Sequence, residues 1–197
     1  MITVTMTAQT AVRAWLNQPP HWNETGDTLT VTAPPGTDYW RVTHYGFIHD
    51  NGPLRYQEQS GNFAAKVRIR GNYHELYHQA GLMIHMDEEN WIKAGIEYVN
   101  ARQNLSAVVT RGFSDWSIVA LADNPAFLWL RLQRYNDTVQ VSYSLDNEKW
   151  AMLRLAFFPP QVPVKIGMLA AAPGKEAFEV TFDHFSIGPL HSPPNED

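Results

Sequence analysis

Residues 78–98, HQAGLMIHMDEENWIKAGIEY, constrain this chain more than any other stretch. They read as two β-strands joined by a short acidic loop. Pairing Met86 with Ile92, Ile84 with Ala94 and Leu82 with Ile96 makes an antiparallel ladder in which paired residues share a face. One face then carries Leu82, Ile84, Met86, Ile92, Ala94 and Ile96, all apolar. The other carries Gly81, Met83, His85, Lys93, Gly95 and Glu97. A one-residue slip would mix apolar and charged side chains on both faces, so the pattern is expected to fix the register. The second face combines an acid, a base, an imidazole and two glycines that leave room between them. It is the predicted ligand surface.

The rest of the chain fits the same class. About a dozen strand-like runs recur at the 8–12-residue spacing of all-β domains, and no strong amphipathic helix longer than two turns interrupts them. Residues 28–32, 38–48, 63–70, 105–110, 115–121, 150–155, 164–171 and 178–187 read as strands. Residues 127–134 and 138–144 read as a second hairpin, with Leu132 opposite Val139 and Leu130 opposite Val141. Residues 1–14 form a weakly patterned lead-in, residues 15–190 one β-sandwich domain, and the polar, proline-rich residues 191–197 a disordered tail.

Composition narrows the function. Cysteine is absent, which removes disulfides, thiolate metal sites and cysteine nucleophiles, and fits a reducing compartment. The net charge is -5 with no basic cluster to track phosphates, so nucleic acid is not an expected partner. No run approaches the ~18 apolar residues of a membrane helix, and the first fifteen residues lack a signal-peptide pattern. A cytoplasmic protein without a membrane partner is expected.

Several segments, in order, carry a family resemblance: WLNQPPHW, TDYWRVTHYGF, QAGLMIHMDEENWIKAGIEY, TRGFSDWS, LRLQRYNDTVQVSYSLDNEKW and FEVTFDHFSIG. Together they resemble the family of domains of unknown function that includes the fungal regulation-of-enolase protein, within the concanavalin-A-like lectin/glucanase superfamily. The resemblance implies a jelly-roll sandwich of two antiparallel sheets, with ligands held on the concave one, where the polar face of the hairpin would lie. The family pattern has an Asp-Gln pair before Ala-Gly-Leu. Here Gln79 keeps the amide and His78 stands in place of the acid.

Three chemistries compete for these residues. His74-Glu75-Leu76-Tyr77-His78 is an H-E-x-x-H, which on a helix would offer zinc two imidazoles and a base. Its position between Gly71-Asn72 and a strand allows two helical turns at most, so it reads as a surface turn. Asp87-Glu88-Glu89-Asn90 likewise reads as a solvated turn, because calcium wants 6–8 converging oxygens. Glycoside hydrolysis needs two carboxylates, ~5–5.5 Å apart in retaining enzymes. One strand supplies such a pair at i and i+2, about 6.6 Å apart, yet Glu97 has Gly95 and Val99 at those positions. Asp115 is the distant partner left open.

The reading taken is binding without catalysis, of a carbohydrate or small polar metabolite, with no metal and no cofactor. Its residues are Tyr45, Gln79, His85, Lys93, Glu97, Asp115, Trp116 and Arg131. A hydrolase using Glu97 and a protein-interaction module linked to carbohydrate metabolism stay open beside it.

Overall fold

The computed structural model describes residues 13–194 of the 197. The lead-in up to residue 12 and residues 195–197 of the tail lie outside the described residues. In chain order the strands are β1 (Ala14–Leu16), β2 (His21–Thr25), β3 (Thr28–Ala33), β4 (Tyr39–Arg41), β5 (Ile48–Asp50), β6 (Leu54–Gln59), β7 (Phe63–Gly71) and β8 (Gln79–Asp87). They continue with β9 (Asn90–Val99), β10 (Arg102–Arg111), β11 (Phe113–Ala120), β12 (Leu128–Tyr135), β13 (Thr138–Ser144), β14 (Ala151–Phe157), β15 (Val164–Ala171) and β16 (Phe178–Pro189). There is no helix among the described residues, and none long and apolar enough to cross a membrane.

Two seven-stranded antiparallel sheets form a concanavalin-A-like sandwich, as expected. The first has the order β1-β6-β15-β8-β9-β10-β11 and the second β14-β13-β12-β7-β16-β3-β2. Alternation drives their apposition, because each strand turns one row of apolar side chains inward. Leu82, Ile84, Ile92, Ala94 and Ile96 of the organising hairpin pack in one cluster with Val67, Ile69, Leu130, Leu132 and Val141 of the second sheet. Each of the Val, Leu and Ile side chains, fully buried, contributes about 1.5–3 kcal/mol.

The hairpin has the expected faces but a different register. Leu82 stands opposite Ala94 and Ile84 opposite Ile92, two residues from the expected pairing. The second hairpin is shifted by the same amount, with Leu132 opposite Val141 and Leu130 opposite Tyr143. A two-residue slip leaves every side chain on its own face, so hydrophobic pattern cannot oppose it. Turn geometry decides instead. Asp87 pairs with Asn90 around a two-residue loop, with a bulge between His85 and Asp87, and Tyr135 pairs with Thr138 in the same way.

Two segments differ from expectation. Residues 38–48 are not one strand: β4 and β5 are separate and pair with each other across a turn. Val42 and His44 hold left-handed backbone there, with φ of 61° and 64°, which ends the alternation of faces. Residues 54–59, unassigned in the sequence, form β6 between β1 and β15.

The paired glycines have a backbone explanation. Gly81 stands opposite Gly95 at the centre of the first sheet. A Cβ on Gly95 would meet the Ala80 carbonyl oxygen at 2.0 Å, and one on Gly81 the Ala94 carbonyl oxygen at 1.9 Å. The sheet closes here only without side chains. We expect Gly95→Ala to cost at least ~2 kcal/mol in chemical denaturation. Wild-type stability in that variant would contradict this packing.

Candidate functional site

The first sheet is apolar on its inner face and over part of its outer face. Its outer face carries Met83, Trp91, Val108 and Leu169, which cluster with Tyr39, Trp40 and Leu54. The segment from Gly36 to Pro53 folds over this apolar patch and covers it. Tyr39 is fully buried, stands edge-on to Trp91 at 5.8 Å between ring centroids, and donates from its hydroxyl to the Gly52 carbonyl at 2.8 Å. Asn17 donates to the Tyr39 hydroxyl and to the carbonyls of Asp50 and Gly52, pinning the segment from below.

The cover stops short of Lys93 and Glu97. Between them and the 42–47 turn lies a cavity of about 300 Å³. Its floor is polar, with Lys93, Glu97 and Asp38, and its walls are Trp40, Tyr45, Phe47, Tyr77 and Trp116. Lys93 and Glu97 flank Gly95 on one strand face, and the bare glycine keeps the floor open between them.

The floor is a connected network. Trp116 Nε1 donates to Ser106 Oγ at 3.0 Å, and Ser106 donates to Glu97 Oε2 at 2.6 Å. Lys93 donates to Gln79 Oε1 and pairs with Asp38 at 3.4 Å. Gln79 Nε2 and the Tyr39 amide both donate to Asp38 Oδ1, at 3.0 and 2.7 Å. Burial first pushes the Glu97 carboxyl above its usual range, with Lys93 and Ser106 opposing. Across the mouth, the Tyr45 and Tyr77 hydroxyls lie 3.4 Å apart, and that contact, then burial, pushes Tyr77 up to about 12.

Of the eight residues singled out in the sequence, Tyr45, Gln79, Lys93, Glu97 and Trp116 meet at this place. The other three do not. His85 shares the face but sits at the turn end, opposite Trp91 and edge-on to Tyr39 at 6.4 Å between ring centroids. It lines a separate open groove with Asp50, Asp87 and Lys165. Asp115 is exposed at the sheet edge and pairs with Arg154 at 3.6 Å. It lies outside the cavity over Glu97 but lines an open groove on the far side of Trp40, Tyr45 and Trp116. Arg131 lies on the second sheet, its guanidinium 4.5 Å from the Trp150 ring. Sequence reasoning missed Asp38, Tyr77 and Ser106. Only Ser106 left a signal, as a polar residue inside an otherwise apolar strand run.

The H-E-x-x-H segment is a clasp and not a helix. Tyr77 has left-handed backbone, with φ of 67°. Glu75 accepts from the amides of Lys175 and Glu176, at 3.1 and 2.8 Å, which hold its carboxyl below its usual range. His78 is buried and stacks on Phe178, and burial lowers its imidazole's proton affinity. No group of three or more His, Cys, Asp or Glu among the described residues is placed to hold a metal ion. Asp87 caps its own turn, accepting from the Glu89 amide at 2.9 Å.

Burial first, then Lys165, brings His85 down to about 4 from 6.5. A histidine held neutral in the fold binds fewer protons than it does unfolded, so its contribution is present above pH 6.5 and lost as pH falls toward 4. Wild type should lose ~1–3 kcal/mol more than His85→Gln across that window in urea titrations. Parallel pH profiles would contradict a buried neutral imidazole.

Residues 15–190 match a family described as protein of unknown function, DUF1349. The chain is 36% identical over 173 residues to the Saccharomyces cerevisiae protein called Regulation of enolase protein 1, spanning 88% of this chain and 87% of the relative. A crystal structure of a functionally unknown protein from Saccharomyces cerevisiae aligns with TM-score 0.88 at 35% identity, over 91% of this chain and 97% of that one. Two others share the fold alone. A mutant of the GH43 protein BlXynB from Bacillus licheniformis gives TM-score 0.73 at 16% identity, with 90% of this chain covering 37% of that one. A legume lectin-like domain from Entamoeba histolytica gives 0.61 at 8% identity, over 91% of this chain and 90% of that domain.

Proposed function

The chain belongs to the DUF1349 family, and from that premise we propose that it is a cytoplasmic protein that binds a carbohydrate or similar polyhydroxylated metabolite without transforming it. The carrying observation is the cavity itself: aromatic walls around a floor of buried, already hydrogen-bonded charges. Burying an ion costs several kcal/mol, and apolar residues would cover this sheet more cheaply. Groups kept under such a penalty, in a cleft, are candidates for ligand contact. The chemistry suits a sugar. Aromatic faces take its C–H surface, and the fixed carboxyl, ammonium and hydroxyl groups take its O–H groups. The compartment is supported by a sequence without cysteine.

A second reading rests on Asp38, which lines the same cavity as Glu97 and provides the second carboxylate that the strand lacks. Under it the protein hydrolyses glycosides, and turnover of aryl glycosides is lost in both Asp38→Asn and Glu97→Gln. Product-free assays of wild type remove this reading.

For the binding reading, a saccharide library screened by thermal shift should give hits in wild type. Glu97→Gln and Trp116→Ala should weaken those hits about tenfold or more, the loss of one buried hydrogen bond or wall. His85→Ala and Arg131→Ala should keep them, since both residues lie outside the cavity. A library without any hit contradicts carbohydrate binding.

A further inference from the structure

The cavity has a second lobe. Trp40, Tyr45 and Trp116 line the closed space over Glu97 and also an open groove of about 630 Å³ on their far side. The groove runs past Thr43 and His44 to Phe113, at the start of edge strand β11. Phe113 is 64% exposed, with no other segment of the described chain closing over it. The two tryptophans that wall both lobes have their indole N–H groups committed, Trp40 to the Thr43 carbonyl and Trp116 to Ser106. They therefore offer a ligand ring surface and not donors. Tyr45 stands on the turn between the lobes, held by Val42 and His44 in left-handed backbone. Strain of that kind persists where surrounding structure fixes a functional position.

The lobes differ in chemistry. The closed one has the charged, hydrogen-bonded floor that reads the hydroxyls of one ring. The open one sets the rings of Trp40, Tyr45, Trp116 and Phe113 beside Thr43, His44, Ser114 and Asp115 and has no closing roof, which suits further units of the same chain, stacked by their C–H faces and hydrogen-bonded through their hydroxyls. We infer that the ligand is an oligosaccharide, with one sugar in the closed lobe and the following units laid along the groove to Phe113. This rests on the carbohydrate-binding reading and adds chain length to it.

Calorimetric titration of the full chain with xylose, xylotetraose, glucose and cellotetraose tests the inference. At least one tetramer should bind about tenfold tighter than its own monosaccharide. Phe113→Ala should remove about that factor for the tetramer and leave the monosaccharide within about twofold. Glu97→Gln should weaken both. Because Phe113 is exposed, the variant should melt with wild type, which a thermal scan verifies. Equal affinity for monomer and tetramer overturns the second lobe while sparing the binding reading, and so does a Phe113→Ala variant that weakens both ligands alike or neither. If none of the four sugars binds, the second lobe is overturned for these chains, and the binding reading itself falls only if the saccharide library also gives no hit.

Discussion

The outer face of the first sheet cannot be left in water. Met83, Trp91, Val108 and Leu169 project from it, and each is almost fully buried. The segment from Gly36 to Pro53 meets this requirement by laying Tyr39 and Trp40 across the strands, tied down through the Tyr39 hydroxyl and Asn17. Everything at the candidate site depends on that cover. It places Asp38 against Lys93, brings Tyr45 toward Tyr77, and sets Tyr39 edge-on to His85.

Where the cover ends, polar and apolar demands meet. Lys93 and Glu97 are too deep to be hydrated freely, so their partners come from three directions: Gln79 on the neighbouring strand, Ser106 on the strand opposite, and Asp38 on the cover. The network is satisfied within the protein before any ligand arrives. Such a floor is preorganised, and a ligand then gains contacts without paying to order the groups that make them. The glycine pair beneath it serves the same end from the backbone side. With no Cβ at Gly81 or Gly95 the strands close, and the space between Lys93 and Glu97 stays clear.

Much of this was legible in the sequence, and the limits follow from periodicity. Alternation assigned the faces of β8, β9, β12 and β13 correctly because its period is two. For the same reason it could not detect the two-residue shift in either hairpin, which the tight turns at Glu88-Glu89 and Asn136-Asp137 impose. The aromatic run at 38–48 alternates like a strand, yet Val42, a β-branched residue, takes left-handed backbone that no local rule favours. That conformation comes from the cover's packing and not from propensity. Within the site, Gln79, Lys93 and Glu97 were readable because one strand pair carries them. Asp38 was not, since the cover delivers it from 41 residues before Gln79, and Tyr77 was not because, although only two residues before Gln79, it is turned out of the strand pattern by left-handed backbone. Arg131 had the right chemistry on the wrong sheet, which face patterns within one strand cannot reveal, and Asp115 lines the open groove and not the cavity floor.

The central claim is that ligand enters under the cover of the first sheet. The seven tryptophans make this directly observable, because each indole N–H gives its own resonance. Titration of ¹⁵N-labelled protein with xylotetraose and cellotetraose should move the Trp40 and Trp116 signals, whose rings wall the cavity. Trp129 on the second sheet and Trp150 packed against that sheet's Arg131 should stay fixed. Movement of Trp129 and Trp150 with Trp40 and Trp116 unchanged would contradict the account.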